Sequence, residues 1–295
     1  MGKSFLSFAA ALESARAGHR TLLVELGESH RSARYSDSVE SLSYEPEQLY
    51  ADLPLFACRI TVPEALEEYG VMKLKFKRAY RMVFENDMVR RMLDLLPGMD
   101  ELLMLGKLWF MDQELNDAGE PMWERIIVDA PATGHGLSLL SLPHAILGTV
   151  ESGAFARETR PMLDMLRDPE RTRVYLVTLP AELPVRETCE LAEQIRDELG
   201  IALGGCFINK IWEKGLSPEL RNWLVARSDE GLSESAESAL TQYLCRALSR
   251  QDHQGRYIED IKSRIADIEF AEIPYIFVEK LGRSEMAAVQ VGIFS

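Results

Sequence analysis

Ile126-Ile127-Val128-Asp129-Ala130-Pro131-Ala132-Thr133-Gly134-His135-Gly136-Leu137 is the stretch on which the fold turns. Three branched apolar residues in a row, closed by an acid, a proline and two glycines, predict a short buried strand followed by a loop and a helix. A carboxylate at the C-terminal tip of such a strand stands where open α/β sheets place their ligand chemistry. Asp129 is therefore a candidate to orient water around a bound divalent cation, and a turn or helix-capping aspartate is the plainer alternative.

Working outward, the same grammar repeats. Leu22-Leu23-Val24, Val174-Tyr175-Leu176-Val177-Thr178, Gly205-Cys206-Phe207-Ile208-Asn209 and Ile273–Val278 read as further strands. Upstream, Phe5, Leu6, Ala9, Leu12 and Ala15 recur at helical spacing, and Gly18 stands at a C-cap position. Residues 27–52 are polar and rich in turn formers. A helical pattern runs from about Pro63 to Gln113, including Val71–Leu96, and Pro97-Gly98 breaks it. Pro184–Leu199 and the charged stretch Ser217–Ile265 also read as helical. Alternating strands and helices predict an α/β fold with a doubly wound, mostly parallel sheet.

Composition narrows the function. The chain has 295 residues, 46% apolar and 27% charged, which suits a globular protein. A formal net charge of −14 argues against general nucleic-acid binding, because phosphate contact needs a basic face. Nucleotide binding remains open, since it uses backbone dipoles and one or two cations. Four cysteines without a C-x-x-C pair read as reduced thiols of a cytoplasmic protein. The first eighteen residues superficially suggest a signal peptide, but the apolar stretch is short and is interrupted by Ser7 and ended by Glu13; an amphipathic helix accounts for it. No segment reaches the roughly 18 uninterrupted apolar residues of a membrane span.

The chain opens Met1-Gly2-Lys3-Ser4 directly onto that first helix. Gly-Lys-Ser is the close of a phosphate loop, G-x-x-x-x-G-K-[ST], in which backbone N–H groups cradle phosphates, the lysine reaches the outer ones and the hydroxyl binds Mg²⁺. Three residues alone are a weak signal. Together with Asp129-x-x-x-Thr133-Gly134-His135-x-Leu137 and Leu142-Pro143, they resemble the loop and switch II of the ArsA family of P-loop ATPases. That family comprises the arsenite-pump, or anion-transporting, ATPases and the ATPases that target tail-anchored proteins. Leu96-Pro97-Gly98-Met99-Asp100-Glu101, Val177–Thr188, Ile208-Asn209-Lys210, and Pro274 with Glu279 and Gly282 resemble further family segments in the same order.

The resemblance implies a single P-loop ATPase domain over 1–295 of the deviant Walker A type, with ATP and Mg²⁺ as ligands and a helical, Met-rich subdomain at about 60–122. It implies that Gly2, Lys3 and Ser4 bind phosphate, with Lys3 and Asp129 catalytic. Ser4 would ligate Mg²⁺ and Asp129 would support its water shell. Asn209, Lys210 and Pro274 would bind the nucleotide, and Thr133, Gly134 and His135 would act as switch elements. The family loop reads G-K-G-G-V-G-K-[ST], so Met1 stands at its valine. This implies a gene start read inside the loop, with the first strand upstream, and a chain that as written is unstable or nucleotide-poor.

The family's switch I aspartate has no counterpart. The aligned residues are Glu25-Leu26-Gly27-Glu28-Ser29-His30, with Glu25 or Glu28 as the available substitutes and His30 read as a surface loop residue. Val24-Glu25-Leu26 resembles a bacterial subgroup of the targeting ATPases. The missing acid keeps a second reading open, a non-hydrolysing partner subunit of a dimer. Expected partners are a second subunit, making a homo- or heterodimer, and an apolar client helix or membrane protein. Eight of the twelve methionines lie in 72–122, consistent with an adaptable apolar surface or with a helical core layer.

Overall fold

A computed structural model describes residues 2–27, 41–74, 98–131, 133–150, 152–212 and 236–276, together with 222, 283, 286, 289 and 292. Their contacts fall into two compact units. The larger comprises Gly2–Val174, Gln194–Ala202 and the C-terminal residues; the smaller comprises Tyr175–Glu193 and Leu203–Val278.

In the larger unit, helix α1 (Lys3–Arg16) leads through Gly18, at φ +95, into strand β1 (Thr21–Leu26). β1 lies between β3 (Leu55–Ile60) and β4 (Arg125–Asp129), parallel to both, and the short β2 (Glu47–Gln48) pairs antiparallel with β3. The order is β2-β3-β1-β4. Every residue of β1 is buried, as a central parallel strand requires. α1 supplies the opposing layer through Phe5, Leu6, Phe8, Ala9 and Leu12, all buried. Each such large side chain contributes about 1.5–3 kcal/mol of burial.

Helices α2 (Val62–Leu74), α3 (Met99–Gln113), α4 (Thr133–Thr149) and α5 (Ala154–Arg167) form a helical layer, in which α3 packs against α2, α4 and α5. At the start of α2, Thr61 Oγ1 donates to Glu64 Oε2 at 2.5 Å, on a T-x-x-E spacing. Near the C-terminus, Arg283 pairs with Asp52 through hydrogen bonds of 3.0 and 2.6 Å, and Met286 is buried.

The smaller unit carries the order β5 (Val174–Thr178), β6 (Leu203–Ile211), β7 (Phe270–Pro274), with β6 and β7 parallel. Helices α6 (Glu182–Glu193) and α7 (Ala236–Arg264) pack on each other.

The α/β reading holds, with mostly parallel strands flanked by helices. Three details differ from expectation. The strands form two sheets. β3 lies in a stretch for which no strand was expected. β7 runs over Phe270–Pro274 rather than Ile273–Val278, and Tyr275 N, just past it, still donates to Ile211 O at 2.8 Å. The expected helical stretch at 75–97, the three methionines within it, Glu28, Ser29 and His30, and Glu279 and Gly282 lie outside the described residues. The expected helix from Ser217 is described as α7 from Ala236 onward.

Candidate functional site

The candidate phosphate site is built by the return of α1 onto its own strand. Ser14 Oγ and Thr21 Oγ1 are 2.7 Å apart, so the end of α1 meets the start of β1. Fourteen helical residues span about 21 Å and six strand residues about 20 Å. The first turn of α1 therefore lies level with the C-terminal end of β1. Gly2, the N-cap of α1, has φ 98 and ψ 20, a left-handed conformation that favours glycine. No side chain caps the helix and its first turn holds no acid. The positive end of its dipole lies level with a sheet end that carries two carboxylates and one guanidinium.

That surface is set by strand register. Glu25 of β1 is the Cα partner of both Asp129 of β4 and Arg59 of β3. Register partners in a parallel sheet point to the same face, about 4.8 Å apart. By the alternation of β1, Glu25 shares a face with Thr21, which is the face α1 covers. Glu25 and Asp129 are 1% and 5% exposed. Lys3 and Ser4 on α1 and the Glu25–Asp129 pair on the sheet thus occupy the same end and side of the unit. The lysine and helix N–H groups suit phosphate oxygens, and the hydroxyl and two carboxylates suit a hard divalent cation.

Thr133, Gly134 and His135 begin α4, four to six residues beyond Asp129. Gly134 and His135 are exposed, and Ser138 Oγ donates to Gly134 O at 3.1 Å. One turn further on, α4 meets α3 closely. A Cβ on Gly98, at φ +83, would stand 2.5 Å from Leu142 Cδ1. Gly98 and Leu142, from motifs seen separately in the sequence, are in contact. Gly27, aligned with the missing switch I aspartate, has φ +91 and donates its N–H to Ile60 O at 3.0 Å.

In the smaller unit, Asn209, Lys210 and Pro274 lie together at the C-terminal ends of β6 and β7, where a bulge leaves Ile211 paired with Pro274. Lys210 takes φ 60, the one non-glycine positive φ among the described residues, and donates its N–H to Asn209 Oδ1 at 2.8 Å. Such strain concentrates at functional positions. Sequence reasoning missed four neighbours. Trp212 and Tyr275 hold their rings 5.5 Å apart, and the Arg250 guanidinium lies 4.7 Å from the Trp212 ring. Gln254 accepts from Trp212 N and donates to Lys210 O. An aromatic residue just past each motif, Asn-Lys-Ile-Trp and Pro-Tyr, was the available signal.

A family profile described as anion-transporting ATPase matches residues 1–153, which carry α1, the Asp129 strand and the Thr133 turn. The chain belongs to the anion-transporting ATPase family. Among curated relatives, it is 27% identical over 221 residues to ATPase BagA of Mycobacterium tuberculosis, covering 74% of this chain and 64% of that protein. It is 25% identical over 245 residues to ATPase GET3B of Arabidopsis thaliana, covering 67% and 59%. An 86-residue segment is 38% identical to the arsenical pump-driving ATPase of Escherichia coli, covering 28% and 14%. The chain thus spans less than two thirds of the length of these relatives. Among the described residues, no helix is long and apolar enough to cross a membrane.

Proposed function

We propose that this protein is an ATP-binding and ATP-hydrolysing switch that couples nucleotide state to a client or partner through its helical layer. The observation that carries the proposal is the first turn of α1, with Lys3 and Ser4, placed at the sheet end and face where Asp129 and Glu25 are buried. Membership of an ATPase family supports it.

Magnesium, when bound, would supply charge neutralisation of the phosphates. The chain's own residues supply the rest. Lys3 would offset the charge on the outer phosphates, Ser4 Oγ would ligate the metal, and Asp129 would hold its water shell. Glu25, beside Asp129, adds negative charge that favours a dication at this end. The turn Thr133-Gly134-His135 carries the nucleotide state into α4, and from there to α3 at Gly98. In the smaller unit, Asn209, Lys210 and Pro274 are nucleotide-binding candidates, with Trp212 and Tyr275 as aromatic neighbours. A dimer, and an apolar helix or membrane protein as client, are the proposed partners; Met72 and Phe110, 53% and 40% exposed, provide apolar surface on α2 and α3.

One observation favours a second reading, a nucleotide-binding subunit that does not turn over. Gly27 has no side chain with which to position an attacking water, and its backbone is committed to Ile60. Phosphate release from Mg²⁺-ATP, measured on the protein and on Asp129→Ala, separates the two. Turnover lost in Asp129→Ala supports the ATPase. Saturable binding with no turnover supports the partner subunit, and neither binding nor turnover removes both.

A further inference from the structure

Lys107 is a cation at a core position. On α3 its neighbours Leu105, Leu108 and Met111 are buried apolar residues, and its own side chain is only 8% exposed. An ammonium brought that far out of water needs partners, and three different segments provide them. Glu68 of α2 lies 2.8 Å from Nζ. The Tyr44 ring lies 4.9 Å from Nζ, from the turn that precedes β2, and the Phe110 ring lies 5.4 Å away. Tyr44 also donates its hydroxyl to Glu68 Oε2 at 2.5 Å. Burial, and then that hydrogen bond to a carboxylate, push the phenol well above its ordinary value, so it remains a donor.

A leucine or methionine at position 107 would fill such a helix face without the desolvation penalty, so holding α2 and α3 together does not require a charge. What the charge adds is directional linkage. The Tyr44 turn is bolted to the sheet, because Arg59 N donates to Ser43 O at 2.7 Å. Arg59 is the register partner of Glu25, which is the register partner of Asp129. A contiguous path of hydrogen bonds and strand pairs therefore runs from the acidic end of the sheet, through Arg59 and Ser43, to Tyr44, Glu68 and Lys107. Nucleotide binding adds negative charge at one end of this path, and the other end fixes two helices of the layer.

We infer that the Tyr44–Glu68–Lys107 joint couples occupancy of the phosphate site to the arrangement of α2 and α3, by a route separate from the Gly98–Leu142 contact. The inference rests on the nucleotide reading above. The test is amide hydrogen exchange with and without Mg²⁺-ATP, on the wild-type protein, Tyr44→Phe and Glu68→Gln. Tyr44→Phe removes one oxygen beside a part-exposed carboxylate that water can reach, so folding is preserved. Glu68→Gln keeps the shape and removes the ion pair.

In the wild type, Mg²⁺-ATP changes exchange both in the first turns of α1 and in α2 and α3. In either variant, the α1 change persists and the change in α2 falls by about fivefold or more, the lower range of allosteric coupling, while α3 keeps the part of its response that reaches it through Gly98. Variants that keep the full α2 response overturn the inference. So does a wild type that responds only at α1, and that result leaves the nucleotide reading standing. A wild type that does not bind Mg²⁺-ATP overturns both.

Discussion

Gly98→Ala is a demanding test of how the helical layer is assembled. Gly98 caps α3 with φ +83, where an L residue is disfavoured by about 1–2 kcal/mol. Its new Cβ would stand 2.5 Å from Leu142 Cδ1 and 3.3 Å from Cδ2, so α4 must shift or Leu142 must leave its rotamer. Overpacking of this kind costs about 1–3 kcal/mol. The two terms are independent and sum to about 2–5 kcal/mol, a large part of the roughly 5–15 kcal/mol margin of an ordinary domain. Equilibrium urea unfolding, followed by far-UV circular dichroism, would report the loss. The partition is checked by a double-mutant cycle. Leu142→Ala removes the clash but not the backbone strain, so in the Gly98→Ala background it should cost about 1–3 kcal/mol less than in the wild type. A Gly98→Ala protein within about 0.5 kcal/mol of wild type, or a cycle with no coupling, would show that α3 and α4 do not meet as described.

Two further predictions follow from packing. In Gly204→Ala the new Cβ would stand 2.4 Å from Tyr175 Cζ, so thermal unfolding should show a loss of about 1–3 kcal/mol, partly restored by Tyr175→Leu. Burial pushes the Cys58 and Cys206 thiols from the ordinary value near 9 up to about 12, so at pH 8 roughly one molecule in ten thousand carries the thiolate. Iodoacetamide mapping at that pH should leave both unlabelled until the protein is denatured, and labelling of the folded protein at the rate of a free thiol would refute it. The linkage has a definite sign. The folded values lie above the unfolded ones, so the thiols' contribution to stability is intact below pH 9 and is lost as pH rises from 9 toward 12.

Much of this was legible in the sequence, for identifiable reasons. β1, β4 and β5 were read because buried parallel strands are apolar runs with clear ends, and α1 because its apolar residues keep helical spacing up to Gly18. Asp129 was legible as a site candidate because it ends such a run. β3 was not, because Arg59 interrupts Leu55–Ile60, and the charge has meaning only beside Glu25 of the neighbouring strand. The placement of Glu25 itself depends on register, which no single strand carries. Lys107 resembles any surface lysine until α2 and the Tyr44 turn close over it, and Trp212 and Tyr275 are 63 residues apart in the chain before β6 and β7 bring their rings together. Local pattern gives elements; tertiary pairing decides what charged and aromatic side chains do.

Calorimetric titration of the protein with ATP in the presence of Mg²⁺, repeated with Lys3→Ala and Asp129→Ala, addresses the proposed phosphate site itself. Saturable binding by the wild type is expected, weakened about 10–150-fold in Lys3→Ala by loss of a charged hydrogen bond worth about 1.5–3 kcal/mol, and stripped of its magnesium dependence in Asp129→Ala. A wild-type protein that binds no nucleotide, or two variants that bind it as the wild type does, would contradict the account.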